Sequence, residues 1–264
     1  MYNFSYHRAG SVDAAAARLA EDGEAKLLAG GMTLLPTMKQ RLAQPSEIID
    51  LNEIDGLKGI TVSGGIVTIG AMTRHADVAA SAEVQQAIPA LAKLAGGIGD
   101  PAVRNRGTIG GSISNSDPAA DYPAAVVGLA ATVVTDRREI AGDDFFTGLF
   151  ETALDAGEIV TAVRFPVPRK AAYVKFPNPA SRYAVVGVFV AQAEGGVRVA
   201  VTGAGPCVFR QTDMEAALSA DFSAGALAGI AQDPDGLNED IHASAEYRAN
   251  LVAVGAKRAV AEIA

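Results

Sequence analysis

The chain has 264 residues, 49% of them hydrophobic and 20% charged. That composition fits one large globular domain or two smaller ones and excludes a disordered chain. Its net charge of −8 argues against a nucleic-acid partner, because phosphate backbones are held by clustered Lys and Arg.

In chain order, Ser11 to Asp22 is alanine-rich and ends at Gly23, which predicts a helix with Ser11 as its N-cap. Lys26 to Ala29 predicts a short buried strand running into Gly30-Gly31, with a helix over Thr33 to Leu42 that carries Pro36 in its first turn. Ile48 to Leu51 predicts another strand, and the β-α-β succession marks a small α/β unit. From Ile54 to Ile69 the pattern changes to short strands with glycine turns. Thr73 is expected to cap a helix through Ala80. The apolar spacing from Glu83 to Ala95 is helical, with Pro89 as an alternative start.

A long small-residue stretch from Gly96 to Ala120 reads as a loop, and Asp121 as a cap for the Ala/Val run after it. Ala131 to Thr135 and Glu158 to Phe165 predict strands. Pro166, Pro168, Arg169 and Lys170 read as a linker, with a domain boundary near residue 168. Tyr183 to Gln192 and Val197 to Thr202 predict a hairpin turning at Glu194-Gly195-Gly196, and Ser244 onward a helix.

The single cysteine, Cys207, rules out an internal disulfide and a cysteine-held iron–sulfur cluster on this chain, and it fits a reducing compartment. With neither a signal-peptide pattern nor an apolar run long enough to span a bilayer, a cytoplasmic location is expected.

Two stretches carry chemistry. In Ala29-Gly30-Gly31-Met32-Thr33-Leu34-Leu35-Pro36, glycines let the backbone turn sharply, and consecutive free amides form a pocket for anionic oxygen. The segment Arg104 to Asp121 is dense in Gly, Ser, Thr and Asn, and a connection this long with so few apolar residues is rarely only a connection. Its hydroxyls and amides suit phosphate, and Asp121 suits a sugar or ring hydroxyl. Other motifs fail. Gly97-Ile98-Gly99-Asp100-Pro101-Ala102 spells a dinucleotide fingerprint but follows a helical pattern, not a strand. His7, His75 and His242 have no ligand spacing, and there is no P-loop and no nucleophile elbow. Taken alone, Lys175 reads as a solvated charge and Tyr183 as a core aromatic.

The pair A-G-G-x-T-L-x-P and T-I-G-G-x-I-x-N-x-D-P-A-x-D resembles the FAD-binding (medium) subunit of the molybdenum hydroxylases, the xanthine dehydrogenase and aerobic carbon monoxide dehydrogenase family. The segment Tyr173 to Ala184 and Thr202-Gly203-Ala204-Gly205 resemble the carbon monoxide dehydrogenase branch, so the likeness covers nearly the whole chain. It implies an α+β fold: a two-lobed FAD-binding domain of the vanillyl-alcohol-oxidase type over residues 1–168, with lobes of about 1–54 and 55–168, and a small α+β C-terminal domain over 169–264.

It also implies a site. Ala29, Gly30, Gly31, Met32 and Thr33 would face the FAD pyrophosphate, and Thr108, Gly110, Gly111, Ser112, Ser114 and Asp121 would form the second FAD loop. Ile98 would pack on the adenine, and Ile159 and Val160 would offer backbone contacts to the flavin ring, with Lys175 and Tyr183 near it. Ser112 stands where relatives often carry Asn. No counterpart of a flavin-linking histidine is evident, so non-covalent FAD is expected, and no catalytic residue is assigned.

The resemblance further implies partners: a large molybdopterin subunit and a small subunit with two [2Fe-2S] clusters, in a dimer of heterotrimers. The molybdenum cofactor and clusters would lie on those partners, and the flavin would pass electrons to NAD, a quinone or oxygen. Two alternatives stay open: a free-standing FAD-dependent oxidoreductase, and a non-catalytic binding protein that has lost flavin.

Overall fold

The computed structural model describes residues 1–263. The chain begins with β1 (Ser5–Arg8), α1 (Val12–Glu21), β2 (Lys26–Leu28), α2 (Leu34–Lys39) and β3 (Glu47–Asp50). These strands form a parallel sheet in the order β1-β3-β2. Ser11 caps α1 by accepting from the Ala14 amide at 3.1 Å. The central strand β3 is buried at every position, whereas β2 is only partly buried because it is an edge. Helix α2 stops at Lys39, short of Leu42, because Arg41 takes a left-handed conformation with φ 62°.

The second region holds β4 (Ile60–Ser63), β5 (Ile66–Gly70), α3 (His75–Ala80), α4 (Ala82–Ala87), α5 (Pro89–Gly96), α6 (Pro101–Arg104), α7 (Ile109–Asn115) and α8 (Tyr122–Gly128). It continues with β6 (Thr132–Thr135), β7 (Glu139–Ala141), α9 (Gly142–Phe145), β8 (Phe146–Gly148), β9 (Glu151–Thr152) and β10 (Val160–Pro166). An antiparallel sheet runs β4-β5-β10-β6-β7, and β8 pairs with β9 as a separate ribbon. Pro89 splits the 83–95 run into α4 and α5, since a proline has no amide to continue the first helix.

Three expectations change here. Thr73 does not cap α3; its hydroxyl bonds the main chain of Gly59, and Arg74 holds the cap position. The stretch from Gly96 to Ala120 is no open loop, since Asp100 and Thr108 cap two short helices, α6 and α7. Asp121 does not cap α8, because its backbone is already helical and its carboxylate is engaged elsewhere.

The third region is β11 (Lys170–Pro177), β12 (Ala184–Ala193), β13 (Gly196–Thr202), β14 (Phe209–Arg210), α10 (Thr212–Ala220) and α11 (Ala245–Ile263). The antiparallel sheet β11-β12-β13-β14 is covered on both faces. Alternate residues point to opposite faces of a strand. Val186, Val188 and Val190 accordingly join Leu251, Val252 and Met214 of the two helices, while Phe189 and Ala191 join a core with Leu91, Leu94, Ala125 and Val126. That second core crosses residue 168.

Candidate functional site

The first glycine bend links β2 to α2. Gly31 has φ +73°, which an L side chain rarely adopts. Gly30 is required for a different reason: a Cβ on it would overlap the carbonyl oxygen of Arg106 and lie 2.7 Å from the Cα of Gly107. The two glycine-rich segments therefore touch, main chain to main chain. Among the described residues, the amides of Gly30, Gly31, Met32 and Thr33 donate to no acceptor.

The second segment is built differently. The Thr108 hydroxyl accepts from the Gly111 amide at 3.2 Å, Ile109 N donates to Thr73 O at 3.1 Å, and Gly110 N donates to Ala71 O at 2.8 Å. A Cβ on Gly110 would sit 2.6 Å from that of Ala71. The expected row of open amides is thus present at the first bend only. At the second, the amides of Ile109 and Gly110 strap α7 to the end of β5, and the hydroxyls of Ser112 and Ser114 are among the free polar groups of residues lining the cleft.

Between the segments lies a cleft of about 910 Å³, within the size of cofactor sites. Ala29, Gly30, Gly31, Met32, Thr33, Thr108, Gly110, Gly111, Ser112, Ser114 and Asp121 line it, as do Ile98, Ile159, Val160 and Tyr183. At Ile159 the main chain is engaged within the protein: its amide donates to Asp136 Oδ1 at 2.7 Å and its carbonyl accepts from Asp136 N at 2.9 Å.

Lys175 stands one layer behind. Its ammonium donates to Asp121 Oδ2 at 2.8 Å and to Gly97 O at 3.0 Å, while the Tyr173 hydroxyl donates to Asp121 Oδ1 at 2.5 Å. Asp121 and Tyr173 are both 4% exposed. Burial raises the Asp121 carboxyl despite the pull of Lys175 and Tyr173, and burial beside that carboxylate lifts Tyr173 well above an ordinary phenol. Tyr183, at the mouth, is raised by burial and then by the charges of Asp117 and Asp121.

Several wall residues had no role in the sequence reading, and two places among them stand out. One is His75, whose only signal is its place just after β5. The other is the Asp155–Glu158 turn. The buried Glu158 side chain accepts from Arg138 Nη2 at 2.9 Å, Thr135 Oγ1 at 2.7 Å and the Asp155 amide at 2.8 Å. These bonds, Arg138 first, hold its carboxyl down to about 2 from an ordinary 4.5. The folded form is thereby favoured above the ordinary value, and this stabilisation is lost as pH falls from 4.5 to about 2. Glu158→Gln is expected to lower the melting temperature at pH 7. It should also flatten the acid branch of the stability curve in that window, as followed by circular dichroism.

Among the described residues, no group of His, Cys, Asp and Glu is arranged to hold a metal ion, and no helix is long and apolar enough to cross a membrane. A cleft with unpaired amides, free hydroxyls and apolar walls matches a large ligand that carries an anionic bridge and flat rings.

Comparison with known proteins agrees. The carbon monoxide dehydrogenase medium chain of Hydrogenophaga pseudoflava is 36% identical over 278 residues, covering 97% of this chain and 96% of that one. The nicotine 6-hydroxylase medium subunit of Paenarthrobacter nicotinovorans is 35% identical over 271 residues, covering 97% of this chain and 96% of its own. A solved carbon monoxide dehydrogenase from Hydrogenophaga pseudoflava, lacking the Mo-pyranopterin moiety of the molybdenum cofactor, superposes with a TM-score of 0.89 at 37% identity, covering 98% of this chain and 96% of that one. Residues 2–168 match the family described as the FAD binding domain in molybdopterin dehydrogenase, and the chain belongs to that family, as an FAD-binding medium subunit of the molybdenum hydroxylase type.

Proposed function

We propose that the cleft between the two glycine segments seats FAD without a covalent bond, in a chain divided into an FAD domain, 1–168, and a C-terminal domain, 169–264. The carrying observation is the main-chain contact at Gly30 and Arg106 beside four unpaired amides. The amides of Gly30, Gly31, Met32 and Thr33 bind the diphosphate bridge, and the hydroxyls of Ser112 and Ser114 add donors on the facing wall. Ile98, Ile159 and Val160 exclude water from the ring systems. Asp121 is a wall residue held from behind by Lys175 and Tyr173, so Lys175 acts on the site through that carboxylate.

Bound FAD supplies the exchange of one or two electrons, and the protein supplies binding and orientation. In this reading the chain takes electrons from [2Fe-2S] clusters on a small partner and delivers them to NAD, a quinone or oxygen. A large molybdopterin subunit oxidises the substrate. The resemblance of nearly the whole chain to medium subunits supports this.

The test has two arms. Purified chain titrated with FAD should quench flavin fluorescence and saturate at one equivalent. The flavin should then be reduced by substrate only when the cluster-bearing and molybdopterin-bearing chains are added. Absence of flavin uptake refutes the seat, and reduction by substrate without partners refutes the subunit role.

A further inference from the structure

The wall at the loop crossing contains a polar side chain that neither glycine motif announces. His75 opens α3 and is 4% exposed. Its amide donates to Gly107 O at 3.0 Å. Its ring packs so closely on Gly107 that a Cβ there would lie 2.6 Å from Nε2 and 2.9 Å from Cδ2. Gly107 is also the residue that crowds Gly30. The imidazole thus abuts the point where the two segments meet, and it lines the cleft.

Neither ring nitrogen has a partner among the described residues. Nδ1 is sealed in protein, on a ring whose centroid is 5.4 Å from that of Tyr122. Nε2 makes no hydrogen bond, yet it is not among the sealed atoms. Burial, with a smaller push from Arg104, brings the ring pKa to about 4, so the imidazole is neutral near pH 7. A neutral imidazole keeps one N–H and one lone pair. A nearly buried polar group left unpaired lowers stability, so its presence in a ligand cleft calls for an explanation.

We propose that His75 is a binding residue of the dinucleotide seat, giving bound FAD a hydrogen bond from its Nε2 edge where the two glycine segments meet. This rests on the cleft being the FAD site. The division of labour is chemical: the amides of the first bend take the anionic bridge, and the uncharged ring takes a neighbouring polar atom of the ligand without adding charge. A ring that only filled space would be replaceable by Phe at no loss to the ligand.

The test uses the full chain. His75→Phe keeps a ring against Gly107 and removes both nitrogens. By fluorescence titration its Kd for FAD should rise roughly tenfold, the size of one lost hydrogen bond, with the melting temperature of the flavin-free protein preserved. A wild-type Kd in a folded His75→Phe protein overturns the proposal.

A second measurement does not depend on that variant. The sequence has three histidines, so imidazole ¹⁵N spectra of the wild-type protein are assignable. Adding FAD should shift the His75 ring signals and leave those of the exposed His242 in place. Bound flavin with unmoved His75 signals overturns the proposal. Wild-type chain that takes up no FAD overturns the FAD site itself and this inference with it, whereas uptake with unaltered His75 behaviour removes the role of His75 alone.

Discussion

Gly30→Val is expected to yield a folded chain that binds FAD much more weakly. The smallest added side-chain atom would overlap the Arg106 carbonyl oxygen, and Gly107 leaves no room on the other side. Both obstacles are main chain, so no rotamer change relieves them. The first bend must then move off the second, and the amides of Gly30 to Thr33 lose their common focus. Overpacking of this kind costs about 1–3 kcal/mol, and if it falls on the bound state the Kd for FAD rises roughly tenfold to hundredfold. Gly10→Ala is the matched control: nothing lies within 4 Å of its added atom, and its flavin affinity should equal that of the wild type. Equal affinity in Gly30→Val would mean that the contact between the segments is irrelevant to the ligand.

Asp121→Ala should be the most destabilising single change near the cleft. The Lys175 side chain is 11% exposed and that of Asp121 4%, so removing the carboxylate strands a nearly buried ammonium and leaves the Tyr173 hydroxyl without its acceptor. Breaking a buried pair from one side typically costs about 3–5 kcal/mol. Urea unfolding of the flavin-free chain measures it. The double change Asp121→Leu with Lys175→Met should recover most of the loss, because replacing both charges removes the stranded one. A double variant as unstable as Asp121→Ala would show that packing or the stranded Tyr173 hydroxyl, not the unpaired charge, is responsible.

The outline of the fold was legible because its signals are local. Ser11 announces α1, Pro89 separates α4 from α5, and Glu194-Gly195-Gly196 turns β12 into β13. Edge strand β1 was missed because Ser5 to Arg8 alternates no apolar face, and most of it is exposed. β11 was masked by the prolines just before it. α6 and α7 were read as loop because small polar residues lower helix propensity, whereas here side-chain caps and tertiary straps from Ala71 and Thr73 hold α7.

The cleft was legible for the same reason at the first bend, where glycines at a strand end declare themselves. Its remaining chemistry depends on long-range placement. Nothing adjacent to Asp121 in sequence reveals that its oxygens are taken by residues more than fifty positions away. Nothing next to His75 reveals that its ring meets Gly107. The spending of the second segment's amides on Ala71 and Thr73 is likewise visible only in three dimensions.

The hydrophobic interior that joins Leu91, Leu94 and Val126 to Tyr173, Phe189, Ala200 and Val208 bears on how this protein can be cut and recombined. A fragment ending at residue 168 would contain everything the family profile recognises, yet it would present the underside of α5 and α8 to water as a bare apolar face. Grafting the cofactor-holding portion into another assembly therefore requires taking the β11–β14 sheet along. An exchangeable module has to take in both sides of that interior.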